Sequence, residues 1–176
     1  WNNVGRSFDA GKFTWIGDKY DVDLFWGSVV QQERYTFDDS DKNTHLAGIY
    51  ATCKEMENNV FDGYFLLKYT DNQGTLGEDS VLGHLNVYTI GSRAQGKFSD
   101  RWDYDGEIAY QFGNYGTDNI NAWAIHAAVG YTFSVDVKPR LGIEINHASG
   151  DSNPKDGTHE TFDNLYPTNH DKYGYM

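Results

Sequence analysis

The sequence predicts an all-β chain of about eight antiparallel strands joined up and down. Apolar and polar residues alternate with a period of two over stretches of roughly ten residues, a pattern that strands produce and helices do not. The connections between these stretches alternate between short and long. The composition is rich in rings and glycine, with 13 Tyr, 10 Phe, 5 Trp and 19 Gly against 3 Pro. Such a mixture suits many strands linked by polar turns.

In chain order, the first candidate strand is Gly11 to Gly17, a short and weakly patterned stretch. Tyr20 to Val30 is clearer: Tyr20, Val22, Leu24 and Trp26 share one face, while Asp21, Asp23 and Gly27 share the other. Thr44–Cys53, Val60–Thr70 and His84–Lys97 alternate less strictly. The strongest stretch is Trp102 to Phe112. There Trp102, Tyr104, Ile108, Tyr110 and Phe112 oppose Asp103, Asp105, Glu107 and Gln111. Asn121 to Phe133 places Trp123, Ile125, Ala127, Val129, Tyr131 and Phe133 opposite small or polar residues. The last stretch, Val137 to Ala148, sets Leu141, Ile143 and Ile145 against Lys138, Arg140, Glu144 and Asn146.

Short connections are expected at residues 17–19, 54–59, 98–101 and 134–136, and long polar ones at 31–43, 71–80, 113–119 and from 149 onward. A hairpin barrel with short turns at one end and longer loops at the other has this rhythm. A soluble up-and-down barrel shares it.

Composition narrows the possibilities further. A formal charge of −12, from 26 Asp+Glu against 14 Lys+Arg, argues against a nucleic-acid partner, which needs a basic face to neutralise phosphates. Cys53 is the only cysteine, so no intrachain disulfide or cysteine metal cluster forms; a buried or lumen-facing thiol is expected. The opening Trp1-Asn2-Asn3-Val4-Gly5-Arg6 reads as no signal peptide, and no apolar run is long enough for a membrane helix. A low mean hydropathy is compatible with a membrane barrel, in which only every second strand residue meets lipid.

Two environments produce such alternation. A soluble barrel or sandwich turns its apolar face inward, whereas a membrane barrel turns it toward lipid and lines its lumen with the polar face. Small residues separate the two cases. The polar faces carry Ala122, Ala124, Ala128, Gly130, Gly142 and Ala148, unusual for strands that face water. Rings also gather near strand ends, as interfacial belts do. The prediction is therefore an antiparallel up-and-down transmembrane β-barrel, with the soluble β-barrel glycan-binding module as the alternative.

Several segments resemble the alginate-export family of outer-membrane barrels. Gly5-Arg6-Ser7-Phe8-Asp9 followed by Tyr20-Asp21-Val22-Asp23-Leu24-Phe25-Trp26 is similar to its first strand pair. Trp102 to Gly113 resembles its Tyr-Asp-x-Glu-x-x-x-Gln-x-Gly strand. The tail from Phe162 to Met176 resembles its Phe-x-x-Leu-Tyr-Pro-Thr-x-His-x-x-x-Gly loop. The resemblance implies a barrel of roughly eighteen strands with an aqueous lumen, so that residues 1–176 read as part of a longer chain. It also implies a porin-like export channel in the bacterial outer membrane. An anionic, alginate-like polysaccharide or small solutes would pass through it by diffusion. Membrane lipid would surround it, and periplasmic export partners could serve it. Inward Arg6, Arg93 and Arg140 are the positions the resemblance assigns to an acidic cargo.

The candidate lining residues are Asp21, Asp23, Arg93, Asp105, Glu107, Gln111, Arg140 and Glu144, all on polar faces of predicted strands. Asp103, Asp105 and Glu107 stand in one row, but a glycosidase needs two carboxyls flanking a bond in a cleft. A charged wall balanced by Arg93, Lys138 and Arg140 fits the row better, and no enzyme is expected. Residues 151–157 resemble a calcium loop, yet the fifth and twelfth ligand positions fail and the glycine comes one place late, so a solvated turn is expected. The histidines lack zinc spacing, and no metal or cofactor is expected.

Overall fold

The computed structural model describes residues 7–31, 35 and 37–166. Among them the chain is all-β, without a helix. Eight long strands follow one another as antiparallel neighbours: β1 (Phe8–Ile16), β2 (Tyr20–Gln31), β3 (Asp39–Cys53), β4 (Asn59–Thr70), β6 (Leu82–Lys97), β7 (Trp102–Gly116), β8 (Asp118–Thr132) and β9 (Arg140–Ala148). Two short additions sit at one end. β5 (Thr75–Leu76) pairs with β6, and β10 (Thr158–His159) runs parallel to the start of β8. No pairing joins β1 to β9 among the described residues, so the sheet is open, as expected of part of a larger barrel.

The register carries the period of two across the whole sheet. Phe13, Leu24, Ile49, Phe65, Ile90, Tyr110 and Trp123 align strand by strand into one row on one face. On the opposite face Asp21, Thr52, Asp62, Arg93, Glu107, His126 and Asn146 make another. A one-residue slip of any strand would move its charges into the apolar row, which fixes the register.

Burial is inverted relative to a soluble domain. On the apolar face Phe13 is 64% exposed, Ile108 55% and Ile143 68%, while on the polar face Gln111 is 0% and Thr89 3% exposed. Among the described residues, three buried apolar residues on this polar side, Val87, Ile120 and Ala122, form one small cluster, with Leu85, Tyr115 and Phe162 against it.

Two connections differ from expectation. Residues 113–119 read as a long polar loop, but β7 and β8 stay paired to Tyr115↔Asp118, leaving Thr117 at the tip. Gly116 adopts φ +65° there, a left-handed conformation that lets so tight a reversal form. The segment's Gly, Asn and Asp content signalled the turn but not its tightness. At the opposite end the expected three-residue turn spans 133–139, because Val137 and Lys138 precede β9 and Lys138 itself has φ +42°. Lys138 is therefore a turn residue rather than a member of the charged wall. Cys53 pairs with Tyr20 and Phe61 on the apolar face, half-buried, and does not face the polar side.

Candidate pore-lining face

All eight candidate residues are set on the polar face by the strand pairings. Asp21, Arg93 and Glu107 share the row described above; Asp105 and Glu144 stand in the row beside it, both opposite Ala128. Asp23 lies across from Tyr50, and Gln111 lies between Thr89 and Ala122. The eighth, Arg140, begins β9 and reaches back over Gly130 toward Asp103 on β7. Arg6 lies outside the described residues.

Five cations on this face are held by carboxylates: Lys12 by Asp23, Lys54 by Asp21, Lys68 by Asp163, Arg93 by Asp105 and Arg140 by Asp103. The Arg93 fork is two-pronged, with Nε donating to Asp105 Oδ1 at 3.1 Å and Nη2 to Oδ2 at 2.6 Å, and Nη2 also donates to Gln95. Planar two-point pairing of this kind fixes orientation as well as distance. Two further carboxylates receive hydroxyls: Tyr64 donates to Glu107 at 2.6 Å and Thr52 to Asp62 at 2.8 Å. Asn146 links Glu144 to His126, donating to Glu144 Oε1 at 2.7 Å and lying 2.6 Å from His126 Nδ1.

The small residues of this face have a steric role. A Cβ on Gly91 would meet the Tyr64 ring at 2.3 Å, and one on Gly130 would meet the Arg140 guanidinium at 2.1 Å. Long side chains thus lie along the wall in the space that glycine leaves.

Toward the end that carries β5 and β10, residues 149–166 fold back over the polar face. β10 pairs with Asn119 and Ile120, Phe162 packs on the small apolar cluster, and Asp163 meets Gln111 twice. Gln111 Nε2 donates to the Asp163 carbonyl and the Asp163 N–H donates to Gln111 Oε1, each at 2.8 Å. Lys68 closes the contact at 2.6 Å from the Asp163 carboxylate. Gln111 is accordingly a clamp beneath this strap. Asp151 and Asp156 in the preceding bend accept the backbone N–H groups of Asn153 and Thr158 and so shape their own turns.

The apolar face carries rings at two heights. Trp102, Tyr131 and Phe133 pack together near the short turns. Near the loops His45 lies between Trp26 and Tyr69, with its nitrogens satisfied by Ser28 at 2.7 Å and Asp71 at 3.0 Å. Sequence reading missed His45, and it missed Tyr50, Tyr64, Asp62, His126 and Lys68 on the other face. In β3 and β4 rings stand on both faces, which blurs the alternation that marks β7.

A family model described as alginate export matches residues 1–176. The chain belongs to the alginate-export family. Members of the alginate-export family are β-barrels of the bacterial outer membrane, and the family exports polysaccharide through a channel rather than catalysing a reaction. The open all-β sheet, with its exposed apolar face and a polar face on which Gln111 and Thr89 are buried, agrees with that membership. No curated protein and no solved structure matches the chain significantly.

Proposed function

We propose that the polar face lines the lumen of a passive outer-membrane channel, and that a glycan or small hydrophilic solute diffuses along it. The observation that carries this reading is the inversion of burial. Rows of exposed Phe, Ile, Leu and Trp back a face on which charges are paired strand to strand. Lipid suits the first face and an aqueous lumen the second. The soluble glycan-binding alternative would leave the apolar rows in water, a patch far larger than soluble monomers tolerate. The two open strand edges, β1 and β9, need further strands before the backbone is satisfied in a bilayer, so residues 1–176 supply part of the wall.

The test is planar-bilayer recording on the full-length protein. Ohmic channels are expected, and Arg93→Glu with Arg140→Glu should move the reversal potential toward cation selectivity. Membrane-inserted protein without conductance would end the channel reading. Normal conductance with unchanged selectivity would remove both arginines from the lining.

A further inference from the structure

A cavity of about 550 Å³ lies on the polar face between the wall and the strap. Tyr50 and Tyr64 line one side, paired directly across β3 and β4, with rings parallel to within 4° and centroids 5.6 Å apart. Gly91 seats the Tyr64 ring, and Glu107 holds its hydroxyl. Asp105, Glu107 and Asn146 supply polar groups around the cavity, and Phe162 and its neighbours in the strap cover it.

We propose that this cavity is a binding subsite for an uncharged sugar unit of the cargo, an inference that rests on reading the polar face as the lumen. A pyranose ring has two kinds of surface. Its C–H face packs on an aromatic ring, and its rim of hydroxyls donates to carboxylates and exchanges hydrogen bonds with amides. The tyrosine pair and the carboxylate–amide rim offer both in one place. A uronate would instead need a cation for its carboxylate. Arg93, the guanidinium of this cavity, is already engaged by Asp105 on two nitrogens and by Gln95 on one of them. An incoming carboxylate would have to displace Asp105 and then sit beside both Asp105 and Glu107. Like charges brought together in a partly dry site select against the anion. The subsite therefore prefers neutral saccharide over acidic polymer.

The experiment combines calorimetric titration of the detergent-solubilised full-length protein with sugar block of bilayer conductance. The probes are neutral gluco-, manno- and galacto-configured hexasaccharides and, at equal concentration, an oligouronate of the same length. At least one neutral hexasaccharide should bind and block, and the oligouronate should do so at least tenfold more weakly. Tyr50→Ala should weaken neutral-sugar binding at least tenfold. Glu107→Gln should weaken it only a few-fold and strengthen oligouronate binding. Preference for the oligouronate in the unaltered protein, or no binding by any neutral probe, overturns the subsite. Binding without conductance overturns the channel and leaves the subsite standing; conductance without binding does the reverse.

Discussion

The polar face has two halves built on different physics. Toward the short turns, Arg93, Arg140 and Lys54 are tied to Asp105, Asp103 and Asp21 across strands, and these side chains keep between 28% and 49% of their surface exposed. Toward the loops, Val87, Ala122 and Gln111 are almost wholly buried beneath a strap contributed by residues 149–166. In the first half the wall is the sheet itself, and its charges set a field. In the second the wall is a covering segment, and burial sets its shape. With the polar face read as the proposed lumen, the difference separates stability from selectivity: solvent-screened pairs would contribute little to folding but act on passing ions, whereas a buried clamp would do the opposite.

Gln111→Leu should give the largest effect. It leaves the N–H and carbonyl of Asp163 without their partners in a buried setting, a loss of about 2–4 kcal/mol for the pair of groups. The strap should then detach while the barrel survives, read as new protease cleavage within residues 149–166 and as higher unitary conductance. Unchanged cleavage and conductance would show that Gln111 does not hold the strap. Phe162→Ala approaches the same contact through packing and should cost about 2 kcal/mol, below a full core truncation because Phe162 is only partly buried. Since both changes release one segment, the double variant should lose less than their sum.

The charged half should respond in the opposite sense. Arg140→Gln is expected to leave stability essentially unchanged, because its pair with Asp103 is screened by solvent. Strap cleavage should match the unaltered protein while the reversal potential shifts toward cations. A stability loss comparable to that of Gln111→Leu would erase the distinction between the halves.

How much of this was legible in sequence depended on whether a signal was local. In β7 every charged residue stands at odd positions and, from Trp102 to Phe112, every large apolar one at even positions, so Asp105, Glu107 and Gln111 could be placed on one face directly. Tyr64 could not, since its polar-face position is set by pairing with Tyr50 and Gly91, on neighbouring strands. The Gly and Ala excess on polar faces was visible as a composition, but what Gly91 and Gly130 make room for, the Tyr64 ring and the Arg140 guanidinium, was not. The strap was least legible. Its Asp163 lies 52 residues from Gln111, and nothing near either residue announces the contact.

The smallest expected effect lies beyond the charged half, where the first two short turns meet. Lys19 and, after it, Tyr20 bond to the Glu55 carboxylate and hold it below the usual glutamate range. The adjacent backbone is tied by the Lys54 N–H to the Lys19 carbonyl at 2.8 Å. A carboxyl with a lowered folded pKa adds stability above its unfolded range and loses it as pH falls through the folded value. Acidification below the ordinary glutamate range should therefore lower the protection factor of the Lys54 amide, its exchange rate taken relative to the intrinsic rate at the same pH, in the unaltered protein. Glu55→Gln should start from the lower protection factor and show no such change with pH. Because Glu55 is exposed, the change should stay local, leaving conductance and strap cleavage untouched. If acidification released the strap in step with this turn, the two ends of the polar face would be coupled, and the division of the wall into independent halves would fail.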